Sequence, residues 1–140
     1  MSILTRGIGV TLGLFAVLGC GRDSAKLLPV SGHVYYQGKP LAGGTIVFTP
    51  DPERGGSGPM AFAEIHTDGS FTLHTGSAFG AVAGWHRVTV AALPPPPAIA
   101  GISISREPPS LPAKYSDPEL SGLLQEVKTG VANTLELRLD

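Results

Sequence analysis

Four histidines, His33, His66, His74 and His86, are the side chains of this sequence best suited to acid–base chemistry or metal binding. Either task needs company. A metal needs several convergent ligands, and a general base needs a nucleophile within hydrogen-bond reach and a group to orient it. His66 and His74 flank Asp68-Gly69, a strong tight-turn signal. In a two-residue hairpin centred there, His66 would face the region of Phe71, so the two rings are offset along the ladder. They read as ordinary outward polar residues, and no metal or other cofactor is expected. His86 alternates with Val88 and Val90 and is expected as a hydrogen-bonded histidine at the edge of a core. The serine in GGSGP, Gly55 to Pro59, lacks the strand-to-helix setting of a nucleophile elbow. The same glycines have neither a following helix nor a Gly-Lys-Ser/Thr to cradle phosphate. Glu64 with Glu53 or Glu126 could form a carboxylate pair, but solvated surface acids are the simpler reading. No catalytic set is expected.

The remaining reactive group is the lone thiol of Cys20, at the end of FAVLGCGRD. It has no disulfide partner within the chain. Ahead of it, Met1 to Arg6 carries one positive charge, and Gly7 to Gly19 carries none. A helix over that apolar run rises only about 20 Å, short of the roughly 30 Å hydrocarbon core. The run reads as the short apolar region of a secretory signal, residues 1–19. Its end, Val17-Leu18-Gly19-Cys20, resembles a bacterial lipobox. That resemblance implies diacylglycerol on the Cys20 sulfur, cleavage before Cys20 and a lipid-anchored mature chain. Two or three acyl chains hold a protein stably without a basic patch. Residues 20–27 then form a short polar tether. Loss of Arg6 with the signal takes the side-chain charge from -1 to -2. A near-neutral balance offers no reason to expect nucleic acid as a partner.

From Leu28 onward the chain reads as short strands punctuated by glycine and proline. Val30, Gly32, Val34 and Tyr36 alternate with Ser31, His33 and Tyr35, and Gln37 to Pro40 is a turn. Ile46 and Phe48 point inward. Ala61, Ala63 and Ile65 share a face across from Phe71 and Leu73 in the clearest hairpin, MAFAEIHTDGSFTLHT. GSAFGAVAG is a loop leading to a strand in which Trp85 and Arg87 face away from His86. Residues 94–118 hold eight of the thirteen prolines, so 93–118 is expected as a long proline-rich loop. A strand near Leu124–Val127, a turn at Lys128–Ala132 and a strand Thr134–Leu139 close the chain. About seven strands with no candidate crossover helix predict an all-β sandwich over residues 28–140.

VSGHVYYQGKPLAGGTIVFTP, HTDGSFTL, the Gly80–Val90 stretch and LPAKYSDPELSGLLQEVKTGVAN together resemble small bacterial lipoproteins carrying a carboxypeptidase-regulatory-like domain. The resemblance covers most of residues 28–140. It implies a transthyretin-like Greek-key β-sandwich of seven to eight strands with a structural or accessory role. Gln37 stands where the family's first turn often has aspartate, and His86 where an inward aromatic is usual. The related hydroxyisourate hydrolases end in a Tyr-Arg-Gly-Ser-type tail; this chain ends Leu137-Arg138-Leu139-Asp140. Isopeptide-forming adhesins join lysine to asparagine beside a buried acid. Here Asn133 is the only asparagine, while Lys26 and Lys39 fall before a strand and in a turn.

Tyr35, Phe62 and Trp85 fall on outward registers and form a possible binding surface for carbohydrate or peptide. The competing reading places Trp85 beneath Leu93–Pro97. Taken together, these features predict a non-enzymatic β-sandwich at the bacterial cell envelope, lipid-anchored to the inner or outer membrane through Cys20. It would face the periplasm or the exterior, with another envelope protein or a carbohydrate as a possible partner.

Overall fold

The computed structural model describes residues 26–92 and 111–140. Cys20, Val17, Leu18 and Gly19 lie outside the described residues, as do Leu93–Pro97 and the rest of the proline-rich stretch to 110.

The fold is an all-β sandwich. Its strands are β1 (Leu27–Leu28), β2 (Val30–Tyr36), β3 (Lys39–Pro40), β4 (Thr45–Pro50), β5 (Ala61–Glu64), β6 (Ser70–Thr72), β7 (His74–Thr75), β8 (Ala78–Phe79), β9 (Ala81–Val82), β10 (Gly84–Ala91), β11 (Leu123–Val127) and β12 (Asn133–Leu139). Seven of them span three residues or more, as the turn spacing predicts. The larger sheet runs β11-β10-β4-β5-β7-β8. The smaller runs β12-β2-β3, with β6 also on β2, and β1 pairs with β9.

Alternation sets which side chains meet between the sheets. Ile46, Phe48, Ala61, Ala63, Val88 and Val90 come from the larger sheet and Val30, Val34, Phe71, Leu137 and Leu139 from the smaller; all are buried in one core. Phe48 and Phe71 approach across the gap with ring centroids 6.4 Å apart. Each large side chain buried there contributes roughly 1.5–3 kcal/mol. The last strand returns beside the first long one: β12 runs parallel to β2 from Asn133↔Val30 to Leu139↔Tyr36. Gly32 is required in that pair, because a Cβ there would stand 2.1 Å from the Leu135 carbonyl oxygen.

Several local expectations are corrected. The Asp68-Gly69 turn does form, closed by the Gly69 N–H donating to the His66 carbonyl and the His66 N–H donating to the Ser70 carbonyl, both at 2.9 Å. Its two arms then part. β5 joins the larger sheet and meets β7 at Phe62↔His74, while β6 crosses to the smaller sheet and pairs with β2. The cause is continuity of the core: Phe71 and Leu73 are both buried, so the chain crosses to β2 over residues 70–72 and returns to β5 only at His74. The stretch read as the GSAFGAVAG loop contains β8 and β9. The turn at 128–132 joins strands of different sheets and is clamped by Asn133, whose amide accepts from the Lys128 N–H and donates to the Lys128 carbonyl. In the β2–β3 turn Gln37 itself takes φ 50 beside Gly38 at 76, a geometry that favours Asn-Gly. The described end of the proline-rich segment is folded: Ala113–Ser116 forms a 3-10 turn that buries Tyr115, whose hydroxyl bonds both backbone groups of Asp140.

Candidate functional site

The outer face of the larger sheet carries the chemistry-bearing side chains, in two separate groups. The first is a row that crosses five strands. Directly paired residues share a face, and the registers run Phe79↔His74, His74↔Phe62, Phe62↔Val47 and Val47↔Thr89. The Phe62 and His74 rings lie 4.3 Å apart at 52°. Phe62, Glu64, His66, Thr72, His74 and Phe79 line a groove of about 660 Å³. Phe79 is 79% exposed and Phe62 40%, and Met60, just ahead of β5, is 57% exposed.

The second group surrounds Arg87 on β10. Asp51 caps the 3-10 turn Pro52–Arg54, accepting from the Glu53 N–H at 3.1 Å, and is 0% exposed. Its carboxylate meets Arg87 at 3.2 Å and Arg54 at 3.3 Å. Arg87 also pairs with Glu53 at 2.8 Å and with Glu119. Burial pulls the Arg87 pKa down, but Asp51, Glu119 and Glu53 outweigh it and leave the guanidinium above its ordinary value. The Asp51 N–H donates to the Trp85 carbonyl, and its own carbonyl accepts from Arg54 and Gly56. One buried carboxylate thus ties the 51–56 loop to β10, and Arg87 ties the 117–122 segment to both. The sequence offered a signal for this centre, Asp51 followed by proline at the first turn position.

The histidines fall into unlike surroundings. His33 stacks on Tyr35 at 6.2 Å on the smaller sheet. His66 and His74 line the groove. His86 is 0% exposed in the core, 5.8 Å from Phe48. Its Nδ1 lies 2.9 Å from the Gly84 carbonyl, which only accepts, so that nitrogen carries the proton. Nε2 is buried and finds no partner among the described residues. Burial lowers the His86 pKa, only partly opposed by the Gly84 bond, and keeps the ring neutral. Among the described residues no group of three His, Cys, Asp or Glu could hold a metal ion. Asp68 is held below its ordinary value by the Ser70 hydroxyl and N–H, a turn device.

Tyr35, Phe62 and Trp85 do not converge. Tyr35 belongs to the smaller sheet, with the Arg138 guanidinium 5.3 Å from its ring centroid. Phe62 and Trp85 share the larger sheet, but Phe62 is level with Thr89 across β4, four residues along β10 from Trp85. Trp85 is half-buried and has the Arg54 guanidinium 5.9 Å over its ring. It lines a separate notch of about 410 Å³ with Leu124, Glu126, Val131 and Leu135. Glu53, Glu64 and Glu126 likewise stand apart: Glu53 on Arg87, Glu64 in the groove, Glu126 opposite Trp85. Asn133 spends its amide on the Lys128 backbone, leaving it engaged in the turn.

The chain matches no family model, no curated protein and no solved structure. What the fold defines is a class, the all-β sandwich.

Proposed function

We propose that this protein is a lipid-anchored component of the bacterial cell envelope whose sandwich serves a structural, adhesive or accessory binding role without catalysis. The observation that carries this reading is Val17-Leu18-Gly19-Cys20 closing a short uncharged run behind Arg6. Thioether-linked diacylglycerol on Cys20, with an acylated new N-terminus, moors a domain whose own surface charge would not hold it to a membrane. The resemblance to carboxypeptidase-regulatory-like lipoproteins belongs to the same proposal, and a β-sandwich is the architecture it requires. A non-catalytic role is supported by the scatter of the histidines among a ring stack, a groove and the core.

Labelled palmitate fed to cells producing the full chain tests the anchor. Incorporation into the wild-type chain and its loss in Cys20→Ser are expected. Equal labelling of the two chains, or none in the wild type, overturns it.

A further inference from the structure

Phe79, Phe62 and Met60 gather at one corner of the molecule. Phe79 stands on the β7–β8 hairpin, whose turn is Gly76-Ser77, and β8 is the edge strand of the larger sheet. Phe62 is two strands away in the same cross-strand row. Met60 precedes Phe62 on the side toward the hairpin turn, since β5 and β7 are antiparallel. Three of the five exposed large hydrophobic residues described therefore sit together, and exposed apolar clusters mark a contact surface.

Where the chain enters the sandwich selects the occupant. β1 pairs with β9 through Leu27↔Val82 and Leu28↔Ala81 and packs against β8. Gly58, two residues before Met60, lies against Val82, the partner of Leu27. The first strand thus starts beside β9 and β8, on the same edge of the molecule as the apolar corner. Cys20 lies seven residues before Leu27, so the intervening chain spans at most about 25 Å. Acyl chains on that sulfur would hold this corner close to a bilayer surface at high effective concentration. A weak apolar contact suffices under such confinement.

We propose that the corner formed by Phe79, Phe62 and Met60 dips into the bilayer that holds the Cys20 lipid, laying the β8 edge of the larger sheet on the membrane. The inference rests on the lipid-anchor reading. The mature chain carries a net side-chain charge of -2, so the contact is apolar and does not depend on anionic lipid. Rings and a thioether at the acyl–headgroup boundary are the chemistry of an interfacial contact about 5–10 Å deep.

The lone thiol makes the test selective. Lipidated wild-type chain in phosphatidylcholine vesicles has no free cysteine, so it should not react with a maleimide after mild denaturation; reaction there means the anchor is absent, and both readings fall. Ser77→Cys in the lipidated chain carries one environment-sensitive fluorophore at the hairpin turn, and Val131→Cys carries it on the 128–132 turn, which follows β11 at the edge of the larger sheet opposite β8. The Ser77 probe should brighten and shift to the blue on vesicles, and spin-labelled lipid should quench it strongly, with neither effect at Val131. Adding Phe79→Ser and Met60→Ser should abolish the Ser77 response while the protein still sediments with the vesicles. Equal responses at Ser77 and Val131 in vesicle-bound protein overturn the bilayer contact and leave the anchor standing. A Ser77 response to a soluble glycan or peptide but not to lipid also overturns it, assigning the corner to that ligand.

Discussion

The two flanks of one sheet face are built on opposite principles. On the β10 side, Asp51 is withdrawn from water and its charge is met by Arg87 and Arg54, while Glu53 and Glu119 complete the ring around Arg87. On the β8 side, Phe79, Met60 and Phe62 keep large apolar surfaces in water. The first flank is closed on itself, and its groups are consumed in joining the 51–56 loop and the 117–122 segment to β10. The second has nothing within the described residues to cover it. Closed charge lattices hold a fold together; open apolar corners meet something else.

The contrast is tested most severely at Asp51. Removing one member of a buried ion pair costs about 3–5 kcal/mol, because the partner keeps its desolvation penalty. Arg87 would retain Glu53 and Glu119, so Asp51→Ala is expected at the lower end, about 3 kcal/mol, read as a lower urea midpoint at unchanged m-value. A loss below about 1 kcal/mol would reduce the cluster to a solvent-screened surface set and erase the distinction between the flanks.

His86 sharpens the comparison from the other side of the same strand. It neighbours Arg87 in sequence and points the opposite way. Carboxylates balance the fixed charge of one side chain; burial disfavours any charge on the other. A histidine whose folded pKa lies below its ordinary 6.5 is protonated first in the unfolded chain. Stability is therefore full above pH 6.5, declines as the pH falls through 6.5, and stops declining below the folded pKa. The slope in that window approaches about 1.4 kcal/mol per pH unit for one proton. Denaturation at several pH values should show it, and His86→Phe should flatten it by supplying a ring that never takes a proton. The Asp68 contribution lies in a lower window, since it is lost only as the pH falls below the ordinary 3.8. An unchanged slope in His86→Phe would place the titration elsewhere.

Much of the sandwich was legible because alternation is a local signal. Ile46 and Phe48 are expected inward and are buried, and Val30 with Val34 and Val88 with Val90, each pair on one face of its alternating strand, are buried too. Pairing was less legible, because strand partners are chosen by the whole core. HTDGSFTL has the residues of a hairpin, yet burial of Phe71 and Leu73 sends its second arm to another sheet. The site failed for a related reason. Tyr35, Phe62 and Trp85 were grouped by outward register alone, which cannot say that β2 and β10 belong to opposite layers. Phe79 lay in a segment read as a loop, and two-residue strands such as β8 carry too few residues to show a period. Asp51 was readable as a cap, but its total burial depends on Arg87, thirty-six residues away.

The smallest expected effect discriminates between the flanks without touching the core. Phe79→Ser removes a ring that is 79% exposed, so its stability should stay within about 0.5 kcal/mol of the wild type. Phe62→Ser should cost somewhat more, because it also removes the 4.3 Å contact with His74, the kind of ring pair that adds about 0.5–1.5 kcal/mol. Serine at 79 relieves the exposed apolar surface, so the variant should also be more soluble when produced without a lipid. If Phe79→Ser instead destabilised the chain as Asp51→Ala does, the ring would have to be buried against another part of the same chain in solution. The β8 corner would then be closed like the β10 flank, and no bilayer would be needed to explain it.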